Sequence, residues 1–363
     1  MTQVHTENKI EYIKLFEHTQ LVTGLYLLPF ISLFGIIGSI FNILVYKNSK
    51  KYSTNVYLIA LSVSDIVKLV NDFLYFLVSL LSRLDSALGN YFFNQMYLYS
   101  HYIFVTTAIN TAWLTCSIAL DRYFILMYNR GHQKYRKYFF SILMSLFIAM
   151  MSSVIAIPAP LFLKSVQEID PATNQTVSKV GESTLNDSNF KIVYSYFNAI
   201  FRAFIPLVII IYLNFKTVRI VYEKKMKKKP FSKLIQKKEK SKSKITIMLI
   251  VIVLTFTVCM FPDAIMTMMQ LGYANETYLV RSVREITDLL LAVNSATTFP
   301  ICYYFSLQYR AKFKELCGLY RADTNQSVTR IRVNENASFF VSKAGDETPN
   351  LIHKNTVNAN SEV

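Results

Sequence analysis

A short set of ionisable side chains interrupts otherwise apolar stretches of this chain, and these are the residues that could do chemistry. Asp65 lies in the middle of LIALSVSD, Asp121 and Arg122 close SIALDRYFI, and Lys68 precedes Asp72 by one helical turn. Arg202, Asp263, Glu285 and Asp288 fall in three further stretches of the same kind. In a bilayer each such charge costs about 2.5–3.5 kcal/mol near the centre on insertion scales, so its retention points to pairing, ion handling or switching. Lys68 and Asp72 are spaced to neutralise each other on one helix face. Arg122 beside Asp121 is either an interface arginine or a charge whose pairing is made and broken. Hydrolytic and redox chemistry find no support. His5, His18, His101, His132 and His353 form no metal spacing, the 9 glycines build no phosphate-cradling loop, and Asp65 lacks the paired motif of an intramembrane aspartyl protease. An enzyme is not expected, and neither is a cofactor.

The elements that position these residues follow from composition. Of 363 residues 52% are hydrophobic and only 17% charged, with 27 Phe and 24 Tyr. Soluble domains carry about a quarter charged residues, so lipid is the implied solvent. Runs long enough to span, about 20 residues each, occupy 22–46, 56–82, 93–127, 138–163, 192–220, 244–271 and 280–305. The expected fold is an all-α membrane protein, a seven-transmembrane helix bundle. The runs are too long and continuous for barrel strands. After the last of them, Tyr309, Phe313, Leu316 and Tyr320 repeat at helical spacing against Arg310, Lys312 and Lys314, which predicts a short amphipathic eighth helix over 309–320 lying on the membrane surface. Cys317 on it is a candidate palmitoylation site, with a plain buried thiol as the alternative. Residues 1–20 read as a polar extracellular N-terminus without a signal peptide, 21–308 as the bundle, and 321–363 as a polar, disordered cytoplasmic tail.

Orientation comes from the formal net charge of +16 and where it sits. Lys47, Lys50 and Lys51 follow the first span, Arg130, Lys134, Arg136 and Lys137 the third, and a Lys-rich run over 216–244 separates the fifth and sixth. The alternate loops mix signs. The basic loops should therefore face the cytoplasm and the N-terminus the outside, in the plasma membrane. The Lys-rich loop reads as a topology determinant touching anionic lipid rather than as a nucleic-acid patch. Glycosylation acceptors at Asn174, Asn186 and Asn275 all fall in loops assigned outside. The four cysteines (Cys116, Cys259, Cys302 and Cys317) are not placed for an extracellular disulfide.

Within this frame the chain resembles the rhodopsin-like G-protein-coupled receptors. The resemblance rests on Gly38-Ser-Ile-Phe-Asn42 in span one, Leu61-Ser-Val-Ser-Asp65 in span two and Asp121-Arg122-Tyr123 at the end of span three. It continues with Phe201-Arg-Ala-Phe-Ile-Pro206 in span five and Phe256-Thr-Val-Cys259-Met-Phe-Pro262 in span six, where Met260 replaces the usual Trp. Pro206 and Pro262 remove backbone donors and kink their helices, which suits a two-state switch. The resemblance implies that Asp121 latches Arg122 at rest and releases it to a heterotrimeric G protein, with arrestin as a second cytosolic partner. The span-seven motif fits in two registers. Alignment on Asn294-Ser295 puts Thr298, Phe299 and Cys302 at the usual Asn, Pro and Tyr, whereas alignment on Pro300 keeps Tyr303. Asp65, Asn294 and Ser295 match the polar cluster that binds sodium in relatives. Two departures stand out. Tyr97 replaces the cysteine that relatives join to the second outer loop, and Trp113 is the only Trp, leaving span four without its usual one. A long, untethered outer loop is implied.

The same resemblance narrows the ligand. Ala292 stands where opsins carry the retinal lysine, and Phe104 where amine receptors carry an aspartate. What remains is an outer cavity of His101, Tyr102, Phe104, Arg202, Asp263, Gln270, Glu285 and Asp288, mixed in charge and rich in aromatics, which suits a peptide. The stretch Arg284 to Ser295 is similar to invertebrate receptors for FMRFamide- and myosuppressin-type neuropeptides, so Asp263 or Asp288 is expected to hold a ligand arginine. Arg202 has the alternative of an internal salt bridge to one of those acids. The competing readings are a nematode-type chemosensory receptor and a transporter, the latter disfavoured by the odd span number and the lack of inverted repeats.

Overall fold

Runs this apolar leave the backbone no partner but itself in lipid, and the described segments are helical accordingly. The computed structural model describes residues 2–49, 52–127, 134–169, 176–183, 189–227, 233–272 and 278–318. Residues 2–10, 86, 134–137, 165–169, 176–182, 224–227, 233–246 and 268–272 are described by their backbone alone. The expected glycosylation sites Asn174, Asn186 and Asn275, the side chain of Gln270 and the tail over 321–363 therefore lie outside the described residues.

Span one is built from α1 (Thr2–Gln20), a π turn (Leu21–Leu27) and α2 (Leu28–Lys47), and spans two to four from α3 (Ser53–Leu84), α4 (Ser86–Met127) and α5 (Lys134–Ala156) with the short α6 (Pro158–Leu161). Span five consists of α7 (Asn189–Ala199), a π turn (Ile200–Phe204) and α8 (Ile205–Lys227). Span six is α9 (Lys233–Gly272), span seven α10 (Tyr278–Phe305), and the surface helix α11 (Leu307–Leu316). Among the described residues, five of the seven spans are long and apolar enough to cross a membrane on length and composition alone. The other two, α3 and α10, carry Asp65, Lys68 and Asp72 or Arg281, Arg284, Glu285 and Asp288, which lowers their hydropathy. Of the buried charges, Asp65 and Lys68 lie on α3, and Arg202 and Asp263 on spans five and six.

The bundle is inside-out relative to a soluble protein. Asn42 and Ser62 are 0% exposed and Asp65 1%, while Phe30 is 75% and Val258 69% exposed. Apolar side chains outward and polar ones inward are what a lipid-solvated helix bundle requires. The packing order closes a ring: α2 lies against α3 and α10, α3 against α4, α4 against α5 and α8, α8 against α9, and α9 against α10. Close approach of α2 to α10 depends on Gly38, where an added Cβ would meet the Phe299 Cβ at 2.7 Å.

The segment read as a polar extracellular N-terminus is helical from Thr2 and runs without a break into span one. The outer loop after span four carries an exception to the all-α expectation, an antiparallel hairpin of β1 (Leu163–Ile169) and β2 (Thr176–Glu182), paired from Leu163↔Glu182 to Ile169↔Thr176. Ser183 N–H donates to the Phe162 carbonyl at 3.0 Å and closes its base. Beyond Phe313 the chain forms a second unit, described only as far as Gly318. That residue ends the helix at φ 69°, a left-handed conformation that glycine adopts freely.

Candidate functional site

Three polar layers lie along the bundle. The end bearing the basic loops is here called inner.

In the outer layer, the π turn of span five turns Arg202 inward, and its guanidinium donates to Asp263 Oδ2 at 3.1 Å and to Thr267 Oγ1 at 2.7 Å. Arg202 and Asp263 are both buried. Of the two readings of Arg202, the internal salt bridge is the one the structure adopts. Phe104 lies within cation–π reach of two cationic groups, the Lys68 ammonium with Nζ at 5.9 Å and the Arg202 guanidinium with Cζ at 6.0 Å from its centroid. Lys68 is itself paired with Asp72. Asp288 and Glu285 on span seven are partly buried, and Asp288 feels Asp263, Arg284, Lys68 and Glu285 electrostatically. Asp288 forms no hydrogen bond or ion pair among the described residues. His101 stacks on Tyr97 at 6.3 Å. Tyr102 is tied to span four, its hydroxyl donating to the Ser153 carbonyl at 3.1 Å.

The central layer joins spans two, three, six and seven. A cavity there is lined by Lys68, Thr111, Phe256, Met260, Asn294 and Ser295. Both carboxylate oxygens of Asp65 and the Ser295 hydroxyl are buried without a hydrogen-bond partner. Ser64 and Thr111 share a hydrogen bond at 3.2 Å. Pro262 lies inside α9 and Pro206 one residue into α8, where its carbonyl accepts from the Cys116 thiol at 3.5 Å.

In the inner layer the expected latch takes another form. The Asp121 carboxylate accepts from Ser53 Oγ at 2.7 Å and Thr54 Oγ1 at 2.6 Å, both on the first turn of α3. No ion pair joins it to Arg122. The two hydroxyls take up the carboxylate oxygens, so the adjacent arginine turns inward. Its Nε is buried without a partner, and the side chain lines a small cavity with Asn214, Thr217, Leu249 and Val253. Tyr123 packs on the neighbouring apolar cluster of Cys116, Ile210 and Phe256. Spacing alone gave no signal for Ser53 and Thr54.

At the end of span seven, Ser295, Thr298 and Cys302 face the interior. Cys302 accepts from the Tyr46 hydroxyl at 3.0 Å, while Tyr303 packs on Phe299 and Phe313. The inward face thus follows the register set by Asn294-Ser295, with a thiol where relatives place Tyr. A tyrosine arrives from elsewhere: Tyr309 of α11 donates to Asn42 Oδ1 at 2.7 Å. Cys317 is exposed in the turn just past that helix.

The family description "7 transmembrane receptor (rhodopsin family)" matches residues 38–303. The chain belongs to this family. The receptor is also 21% identical over 309 residues to a Caenorhabditis elegans protein named as a probable G-protein coupled receptor, covering 82% of this chain and 70% of the other. Membership makes it a multi-pass membrane receptor, not an enzyme, that couples an extracellular ligand to G proteins.

Proposed function

We propose that the receptor responds to a neuropeptide containing arginine, of the FMRFamide or myosuppressin kind, and that Asp288 receives the ligand guanidinium. The distribution of partners carries this reading. Arg202 is satisfied by Asp263 and Thr267 and Lys68 by Asp72, whereas Asp288 has no such partner among the described residues. A carboxylate enclosed in this way is costly until a cation meets it, and a guanidinium offers two parallel, charge-assisted hydrogen bonds. Phe104 offers a ring face to the cations of the same layer, and Glu285 extends the acidic wall. Asp263 serves the receptor's own Arg202 and is not the primary acceptor. Asp288→Asn is expected to weaken an arginine-containing agonist about 10–100-fold, a loss of about 1.4–2.8 kcal/mol. An analogue with citrulline for arginine should lose potency on the wild type but not further on Asp288→Asn. Equal potency on both receptors would sink the assignment. Silence across an amidated-peptide library, with surface expression confirmed, would favour a small chemosensory ligand.

The remaining assignments accompany this reading. The N-terminus is extracellular and the receptor sits in the plasma membrane, with sugars on Asn174, Asn186 and Asn275. The helix α11 lies on the membrane surface with Cys317 palmitoylated just past its end, and 321–363 is a cytoplasmic tail that arrestin engages. Pro206, Phe256 and Pro262 form the pivot by which the outer layer moves the inner one.

A further inference from the structure

Asp65 poses an electrostatic problem. It is 1% exposed, and neither of its carboxylate oxygens has a hydrogen-bond partner. The Ser295 hydroxyl lies close enough to act on it without closing a well-formed hydrogen bond, and the Ser62 hydroxyl three residues back is unmatched. An uncompensated carboxylate in such a setting costs several kcal/mol, so either a proton or a positive charge must offset it. A free cation is one source, and sodium is the ion that relatives hold in this polar cluster. The residues present do not fit that ion well. Thr111 is engaged with Ser64, and span seven presents Thr298 and Phe299 where Asn and Pro are usual. Above all, a resident ammonium lines the same cavity. Lys68 is 5% exposed and shares that cavity with Thr111, Asn294 and Ser295. A sodium ion held by Asn294 and Ser295 would share that cavity with the Lys68 ammonium.

Lys68 stands three residues after Asp65 and four before Asp72. On a helix both spacings bring side chains onto one face, so one flexible ammonium can reach either carboxylate by swinging through about one helical turn. In the structure it rests on Asp72 and acts on Asp65 electrostatically. We propose that Lys68 is the built-in counter-cation of Asp65, shared between Asp72 and Asp65, and that the core of this receptor takes up no sodium. The outer and central layers are thereby joined by one moving charge.

The test is thermal unfolding of the purified full-length receptor in lipid nanodiscs, in sodium chloride against choline chloride at equal ionic strength. The wild type is expected to unfold at the same temperature in both salts. Lys68→Met with Asp72→Asn, which removes the pair without orphaning either member, should gain a sodium-specific rise of about 2–4 °C. Adding Asp65→Asn should abolish that rise. A sodium-specific shift in the wild type that Asp65→Asn removes overturns the proposal, as does a folded double variant without a sodium response. If the double variant fails to fold, adding Asp65→Asn should rescue it, because the bare carboxylate is then the cause. Failure to rescue overturns the proposal as well.

Discussion

The inner end turns on which group holds which charge. Asp121 is restrained by two hydroxyls of span two rather than by the arginine next to it. Hydrogen bonds to a charged acceptor are worth about 1.5–3 kcal/mol each. Ser53→Ala with Thr54→Val should therefore lower the unfolding temperature and free Asp121 to draw Arg122 out of its cavity. Changed basal G-protein signalling that disappears on adding Arg122→Ala is the expected readout; unchanged basal signal and stability would refute it. In the outer layer, Arg202→Ala leaves Asp263 buried without its cation, a loss of about 3–5 kcal/mol. Surface expression should collapse and be restored by Asp263→Asn. The charged residues of all three layers were legible in the sequence, because charge inside an apolar run is conspicuous. Their partners were not, since Ser53 and Thr54 lie 68 and 67 positions from Asp121 and hydroxyls are unremarkable in a membrane helix.

Among the elements, spans one and seven meet most closely at Gly38. Any larger side chain there must displace Phe299, which also packs on Phe34, Phe41 and Phe313. Gly38→Ala should cost about 1–3 kcal/mol, as overpacking does, with partial recovery in Phe299→Leu measured by thermal unfolding. Apolar periodicity made the seven spans readable, because lipid permits few other structures. The hairpin escaped notice since two seven-residue strands of mixed polarity resemble loop until they pair. Sequence left the span-seven motif in two registers because Tyr303 and Cys302 are adjacent. Only the direction each side chain takes separates them, and Cys302 is the one that meets Tyr46. The helical character of the first twenty residues was likewise hidden by their polarity.

For the molecule as a whole, the basic loops and the outer sequons make one prediction about orientation. An epitope fused before Thr2 should be stained on intact cells, and an endoglycosidase should shift the receptor's mobility unless Asn174, Asn186 and Asn275 are all changed. Staining only after permeabilisation would reverse the topology. The cysteines lead somewhere more practical. Three thiols are sealed inside the bundle and Cys317 alone is exposed. The unaltered receptor thus comes with one chemical handle, and a maleimide fluorophore should attach at a single position without first building a cysteine-free background. In cell membranes that handle should be masked until hydroxylamine strips the acyl group, so the ratio of dye taken up before and after treatment becomes a direct count of how many receptors carry the lipid.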